Sequence, residues 1–149
     1  MKIIMAKQLR VWWFMERSPI TQKIENTLKH MISQKFESFG YQNIETPLME
    51  RNSVLLAKSG EETSKQVFGV YWLAQWSADL KDYSIRFDLT VPLARYIIDW
   101  EEYIAFPFKR YQIQKVYRWE RQQRWRYKEL YQCDIDVIDQ ILDNDYEVE

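Results

Sequence analysis

Glycine is nearly missing. Three glycines stand among 149 residues, where average usage of about 7% would place about ten, while tryptophan reaches seven. A single cysteine, Cys133, excludes an internal disulfide and a cysteine-rich zinc site. A single histidine, His30, leaves no material for a histidine metal cluster or a Ser-His-Asp triad within the chain. No apolar run approaches the roughly 18 residues of a membrane span, and the opening MKIIMAKQLR has neither the apolar core nor the cleavage site of a secretory signal. These absences predict a cytoplasmic protein with no membrane association and no metal held by the chain's own residues. Charge of one sign is missing too. The net charge of −1 gives no global bias toward nucleic acid, so any anion site must come from local clustering. What is present is a chain of one-domain length, residues 1–149, with 46% hydrophobic residues, enough for a packed core.

Ser18-Pro19 reads as an N-cap followed by proline at the first helical position. Ile20, Ile24, Leu28, Met31, Ile32 and Phe36 then recur at helical spacing, and Gly40 supplies the stop. The spacing predicts a helix over 19–39 with one buried stripe, His30 lying off that stripe in solvent. Strands are expected at 41–46, ended by Pro47, and at 67–71, 83–88, 108–118 and 129–138. A short helix or turn is expected at 53–58, a loop at 59–62, and a helix at 91–100 capped by Thr90. Strands alternating with hairpins, plus a few helices, give an α+β fold with an antiparallel sheet flanked by helices.

The last strand carries the most information. Tyr131, Cys133, Ile135 and Val137 project to one face, expected to be core, and Gln132, Asp134 and Asp136 project to the other. That polar row is either a solvated sheet face or the floor of a polar pocket. Arg118, at the end of the partner strand, points near the same place. An arginine with two carboxylates around an amide can hold a zwitterion, Arg on its carboxylate and Asp on its ammonium. Asp88-Leu89-Thr90 closes a strand and opens a helix. It is either a plain cap or a pair of acceptors facing the row. The turn between the two long strands, WERQQRWRY (119–127), holds Arg121, Arg124 and Arg126, which suit an anion, yet it contains no Gly or Pro.

Three stretches carry a resemblance to the catalytic core of class II aminoacyl-tRNA synthetases, and within them to the histidyl-tRNA synthetases. FESFGYQNIETPLMER (36–51) resembles motif 1, which builds the dimer interface, with Pro47 in the motif's proline position. IRFDLTVPLARYI (85–97) resembles the segment that contacts the histidine substrate, and FKRYQIQKVYRWERQQRWRYKELYQCDIDVI (108–138) resembles motif 2 with its hairpin. SGEETSKQVF (59–68) also fits. The resemblance implies that Asp88, Leu89, Thr90, Arg118, Gln132 and Asp136 bind histidine. It makes Arg118 the catalytic arginine that bridges the histidine carboxylate and the α-phosphate of ATP. It implies that Glu120 holds the adenine amino group and that Arg126 and Tyr127 serve the ATP site. ATP is then the substrate, Mg²⁺ its companion ion, tRNA(His) the acceptor of the histidyl group, and a homodimer forms through motif 1.

Two departures stand out. The family has Gly at the positions of Trp119 and Trp125, near Trp72 and Trp76, and in the segment resembling Trp12-Trp13-Phe14-Met15-Glu16. Restoring six glycines to the three present would give nine, close to the roughly ten of average usage. The pattern is that of UGA codons translated as tryptophan from a genome that reads them as glycine, and UGG codons at 119 and 125 would contradict it. Genuine tryptophans would instead stack on adenine or RNA bases. The second departure is length. Motif 3, the downstream histidine-specific segments and the anticodon-binding domain are not found, so the chain is expected to be the N-terminal part of the catalytic domain, inactive by itself.

Two other functions compete with a histidine–tRNA ligase. A synthetase-like regulatory subunit of histidine biosynthesis, a regulator of ATP phosphoribosyltransferase, keeps the fold without aminoacylating, but Arg118, Glu120 and Arg126 favour the enzyme. A generic RNA-binding module would use the interleaved Arg and Trp of 118–127, against which the acidic tail argues.

Overall fold

The structure is a computed structural model that describes residues 11, 14–57, 64–70, 82–119 and 127–139. The first element is helix α1, Pro19–Ser38. Ser18 Oγ accepts a hydrogen bond from Thr21 N at 3.2 Å, and Pro19 opens the helix where a missing N–H costs nothing. Gly40 follows at φ 81°, a conformation glycine adopts without strain. Both ends fall as the spacing predicts.

The remaining elements are strands β1 (Gln42–Asn43) and β2 (Met49–Arg51), helix α2 (Asn52–Leu55), strands β3 (Phe68–Val70) and β4 (Tyr83–Ile85), helix α3 (Thr90–Trp100), a 3-10 turn (Glu101–Tyr103), and the long strands β5 (Phe108–Tyr117) and β6 (Glu129–Ile138). They form two three-stranded sheets, β1-β5-β6 and β2-β4-β3, where the sequence suggests one. All pairings are antiparallel except β1 with β5. The fold is α+β, as expected. The sheets join where Tyr117 N donates to Arg86 O at 3.1 Å and Trp119 N donates to Gln66 O at 2.7 Å.

The apolar core is small. Ile44, Leu93 and Phe108 are buried, and Tyr96, Ile97, Ile104, Phe106 and Ile138 pack against them. More unusual is the buried polar layer of Arg86, Arg110 and Gln112, each at most 4% exposed. Arg86 supplies most of its order. Its Nη1 donates to the carbonyls of Thr46 at 2.7 Å and Pro47 at 3.3 Å and to Gln114 Oε1 at 2.8 Å, while Nε donates to Lys115 O at 2.9 Å. One guanidinium thus ties the Pro47 stretch to β5. Glu50, 6% exposed, takes a forked ion pair from Arg95 at 2.8 Å, which fastens α3 to β2.

Three expectations are corrected. The stripe on α1 is not buried: Ile20, Ile24, Leu28 and Met31 are 75, 64, 55 and 61% exposed. Only the C-terminal end of the stripe meets the sheet, with Ile32 and Phe36 half-buried and Phe36 on Tyr111 (ring centroids 5.4 Å), while off the stripe Lys29 lies over the Tyr131 ring at 3.3 Å. For the same reason Tyr131, Cys133 and Ile135 are exposed and Val137 is half-buried, and it is the polar row of β6 that is the more enclosed face. Finally, Thr90 is the first residue of α3 and does not cap it; the Asp88 carboxylate does, accepting from Val91 N at 3.3 Å.

Candidate active site

The register of the β5–β6 hairpin decides which side chains meet. Arg110 lies opposite Asp136, Gln112 opposite Asp134, and Gln114 opposite Gln132. Because side chains alternate along a strand, all six share one face, and Arg118 continues that face beyond the end of β5. Arg118 is held in two directions. Its Nε donates to Phe87 O at 2.8 Å, and Nη2 approaches Gln132 Oε1 at 3.4 Å. Gln132 turns its amide to both oxygens of Asp134, at 3.1 and 2.9 Å. The strand end carrying Phe87 and Asp88 is therefore drawn against the polar row.

Burial sets the electrostatics of Asp88. It pushes the carboxyl above the ordinary value of 3.8, and nearby Asp134 adds to the effect; the Val91 N–H and the Arg118 guanidinium act against it. Asp88, Arg118, Gln132 and Asp134 are thus one interacting group. Asp136 lies on the same face, about 14 Å further along β6 from Gln132 at a rise of roughly 3.4 Å per residue, and it pairs with Arg110. Thr90 is exposed at the start of α3. Leu89, expected among the histidine-binding residues, is fully buried and offers no surface to a ligand. Glu120, Arg126 and five of the six tryptophans at glycine positions lie outside the described residues; Tyr127 is half-buried. The sixth, Trp119, stands 55% exposed, edge-on to Phe68 at 5.3 Å with the Lys128 ammonium 3.0 Å from its ring centroid.

Asp134, which the sequence places in the polar row but outside the expected site, joins the group through Gln132, and Arg110, Gln112 and Gln114 share its face without having been expected there. The signal was in FKRYQIQKVYR, where Arg110, Gln112, Gln114 and Arg118 alternate with Tyr111, Ile113 and Tyr117. Matching the two strands across the hairpin places them beside the acids. A separate cavity of about 170 Å³ opens on the opposite face, by Arg17, Lys115, Glu129 and Tyr131. Its charges pair internally, Arg17 with Glu25 at 2.7 Å and Lys115 with Glu129 at 2.7 Å, so it has no claim on an anionic substrate.

A long antiparallel hairpin whose first strand ends in a fixed arginine, beside an acidic strand-to-helix turn, is part of the core of a class II aminoacyl-tRNA synthetase. A family profile described as histidyl-tRNA synthetase matches residues 14–148, and the chain belongs to that family. It is 47% identical over 131 residues to the histidine–tRNA ligase of Xylella fastidiosa strain M12, an alignment covering 83% of this chain and 28% of the relative. The crystal structure of histidyl-tRNA synthetase from Nostoc sp. PCC 7120 superposes with a TM-score of 0.79 at 34% identity, over 93% of this chain and 30% of that one. The structure of an ATP phosphoribosyltransferase regulatory subunit/histidyl-tRNA synthetase from Bacillus halodurans gives 0.68 at 20% identity, over 85% and 31% of the two chains, a likeness of fold alone. The chain therefore spans less than a third of the length of these relatives.

Proposed function

We propose that this chain supplies the amino-acid-binding half of a histidine–tRNA ligase active site. In the first step the histidine carboxylate attacks the α-phosphate of ATP. A carboxylate–phosphorus bond forms, the bond to the β-phosphate oxygen breaks, and pyrophosphate leaves. The 3′ end of tRNA(His) then attacks the adenylate carbonyl, an ester bond to the histidyl group forms, and AMP leaves. No enzyme nucleophile is needed. Catalysis is orientation and charge neutralisation, which suits a chain with one histidine and a cysteine whose thiol is pushed upward, by partial desolvation and by Asp134, away from the reactive thiolate.

The observation that carries the reading is the double anchoring of Arg118 on Phe87 O and Gln132. It puts a fixed cation beside Asp88, where a carboxylate and a phosphate can share it while the acids take the ammonium and imidazole. Asp88, Thr90, Gln132 and Asp136 are assigned to histidine, with the buried Leu89 packed beneath the turn that carries the first two. Glu120 is assigned to adenine, and Arg126 with Tyr127 to the nucleotide. ATP is expected to arrive with Mg²⁺. Among the described residues no three His, Cys, Asp or Glu groups surround one point, so none is assigned to the ion. A homodimer through motif 1 and a place in the cytoplasm belong to the same proposal; the exposed stripe of α1, just before motif 1, is a surface such a dimer could cover.

Histidine-dependent exchange of pyrophosphate into ATP by the complete gene product tests the reading. Exchange with histidine and charging of tRNA(His) support it. Absence of exchange, with stimulation of an ATP phosphoribosyltransferase, would establish the regulatory alternative.

A further inference from the structure

Arg110 is an unusual tenant for a sheet. It is 1% exposed, yet the carboxylate it faces across the hairpin, Asp136, is 43% exposed at its side chain. The exposure of Asp136 is not shared equally between its oxygens. Oδ2 is buried and meets the Arg110 guanidinium as an ion pair, so the open side lies with the rest of the group, Oδ1 included. Arg110 is itself fixed from behind. Nη1 approaches Gln112 Oε1 at 3.4 Å, and the fully buried Gln112 donates to Thr46 Oγ1 at 2.8 Å and to Gln114. The carboxylate is therefore gripped on one edge by a cation that cannot move.

Stability alone does not account for the arrangement. A buried guanidinium is costly, and an apolar side chain of similar volume commonly serves stability as well or better. Here the cost is raised further, because Arg110 Nε has no hydrogen-bond partner among the described residues. Asp134 acts on the same guanidinium, so Arg110 sits beneath two acids of the row. Without it those carboxylates, two residues apart on one face, would repel each other and turn toward any available cation.

We infer that Arg110 is a positioning residue of the amino-acid pocket, holding Asp136 by its buried oxygen so that the other oxygen meets a donor of the substrate at a fixed place. The inference rests on the assignment of Asp136 to histidine and adds the group that makes that assignment work.

The test is steady-state pyrophosphate exchange by the complete gene product carrying Arg110→Gln, Arg110→Met, Asp136→Asn, and Arg110→Gln with Asp136→Asn together. Misplacing a substrate-binding group by about 1 Å costs on the order of 100-fold. Arg110→Gln is expected to raise the KM for histidine about 10- to 100-fold with the KM for ATP unchanged, and the double variant to be no worse than Asp136→Asn, since the two residues act as one unit. Arg110→Met fills the same buried space and keeps the test open if the glutamine variant does not fold. An unchanged histidine KM in the Arg110 variants beside an impaired Asp136→Asn, an equal rise in both KM values, or multiplied losses in the double variant would overturn the inference alone. An Asp136→Asn variant with wild-type histidine KM would overturn the assignment beneath it.

Discussion

Arg118 Nε donates to the carbonyl oxygen of Phe87 at 2.8 Å, across a sequence separation of 31 residues. This bond joins the end of β5 to the turn that opens α3, and it is the reason the Asp88 carboxyl and the polar row of β6 act on one another. A backbone carbonyl as partner fixes the side chain at Nε without placing a second charge there, which suits a guanidinium that is to meet a phosphate.

Asp88→Asn separates function from stability. Burial raises the Asp88 pKa above 3.8 in the folded protein. The folded state then binds more protons than the unfolded state between those values, so the contribution of Asp88 is most favourable below 3.8 and is lost as pH rises through the folded pKa. Asparagine keeps an acceptor for Val91 N and carries no charge. The variant is expected to melt higher than the parent at pH 7, with the difference vanishing below about pH 4, and to lose histidine activation at both. A lower melting temperature at pH 7 would contradict the burial argument.

Arg86→Met tests the buried polar layer. The change leaves the Thr46, Pro47 and Lys115 carbonyls without their guanidinium donor. An unsatisfied buried group costs about 1–3 kcal/mol, and of the three carbonyl contacts the one to Thr46 is buried and the other two part-buried, so urea unfolding should show a loss of about 1–3 kcal/mol. A loss below about 1 kcal/mol would mean that water replaces the arginine.

The α1 stripe gives an assembly prediction. Ile24→Lys with Leu28→Lys changes side chains that are 64 and 55% exposed, so the protomer should keep its stability within about 0.5 kcal/mol. If the stripe is the self-contact, sedimentation equilibrium of the complete gene product shows dimer for the parent and monomer for the variant. A dimeric variant removes α1 from the interface.

Much of this was legible in the sequence because the signals are local. Ser18, Pro19 and Gly40 set the ends of α1 through backbone chemistry that needs no neighbours. The alternation in ELYQCDIDVI fixed which side chains share a face of β6. Which face is enclosed was not legible, since that depends on where α1 crosses, and periodicity marks an apolar stripe without saying what covers it. Arg110 was missed for a related reason. Its meaning lies in the register with Asp136, a property of two strands together. Asp88 displaced Thr90 as the cap of α3 because its carboxylate reaches Val91 N, a choice settled by the backbone at Leu89.

The most direct measurement is a crystal structure of the complete gene product with a non-hydrolysable histidyl-adenylate analogue. The account predicts the phosphate mimic on the Arg118 guanidinium and the histidyl moiety along the row from Asp88 to Asp136. An analogue bound with no contact to the Arg118 guanidinium, Asp88 or Asp136 would contradict it.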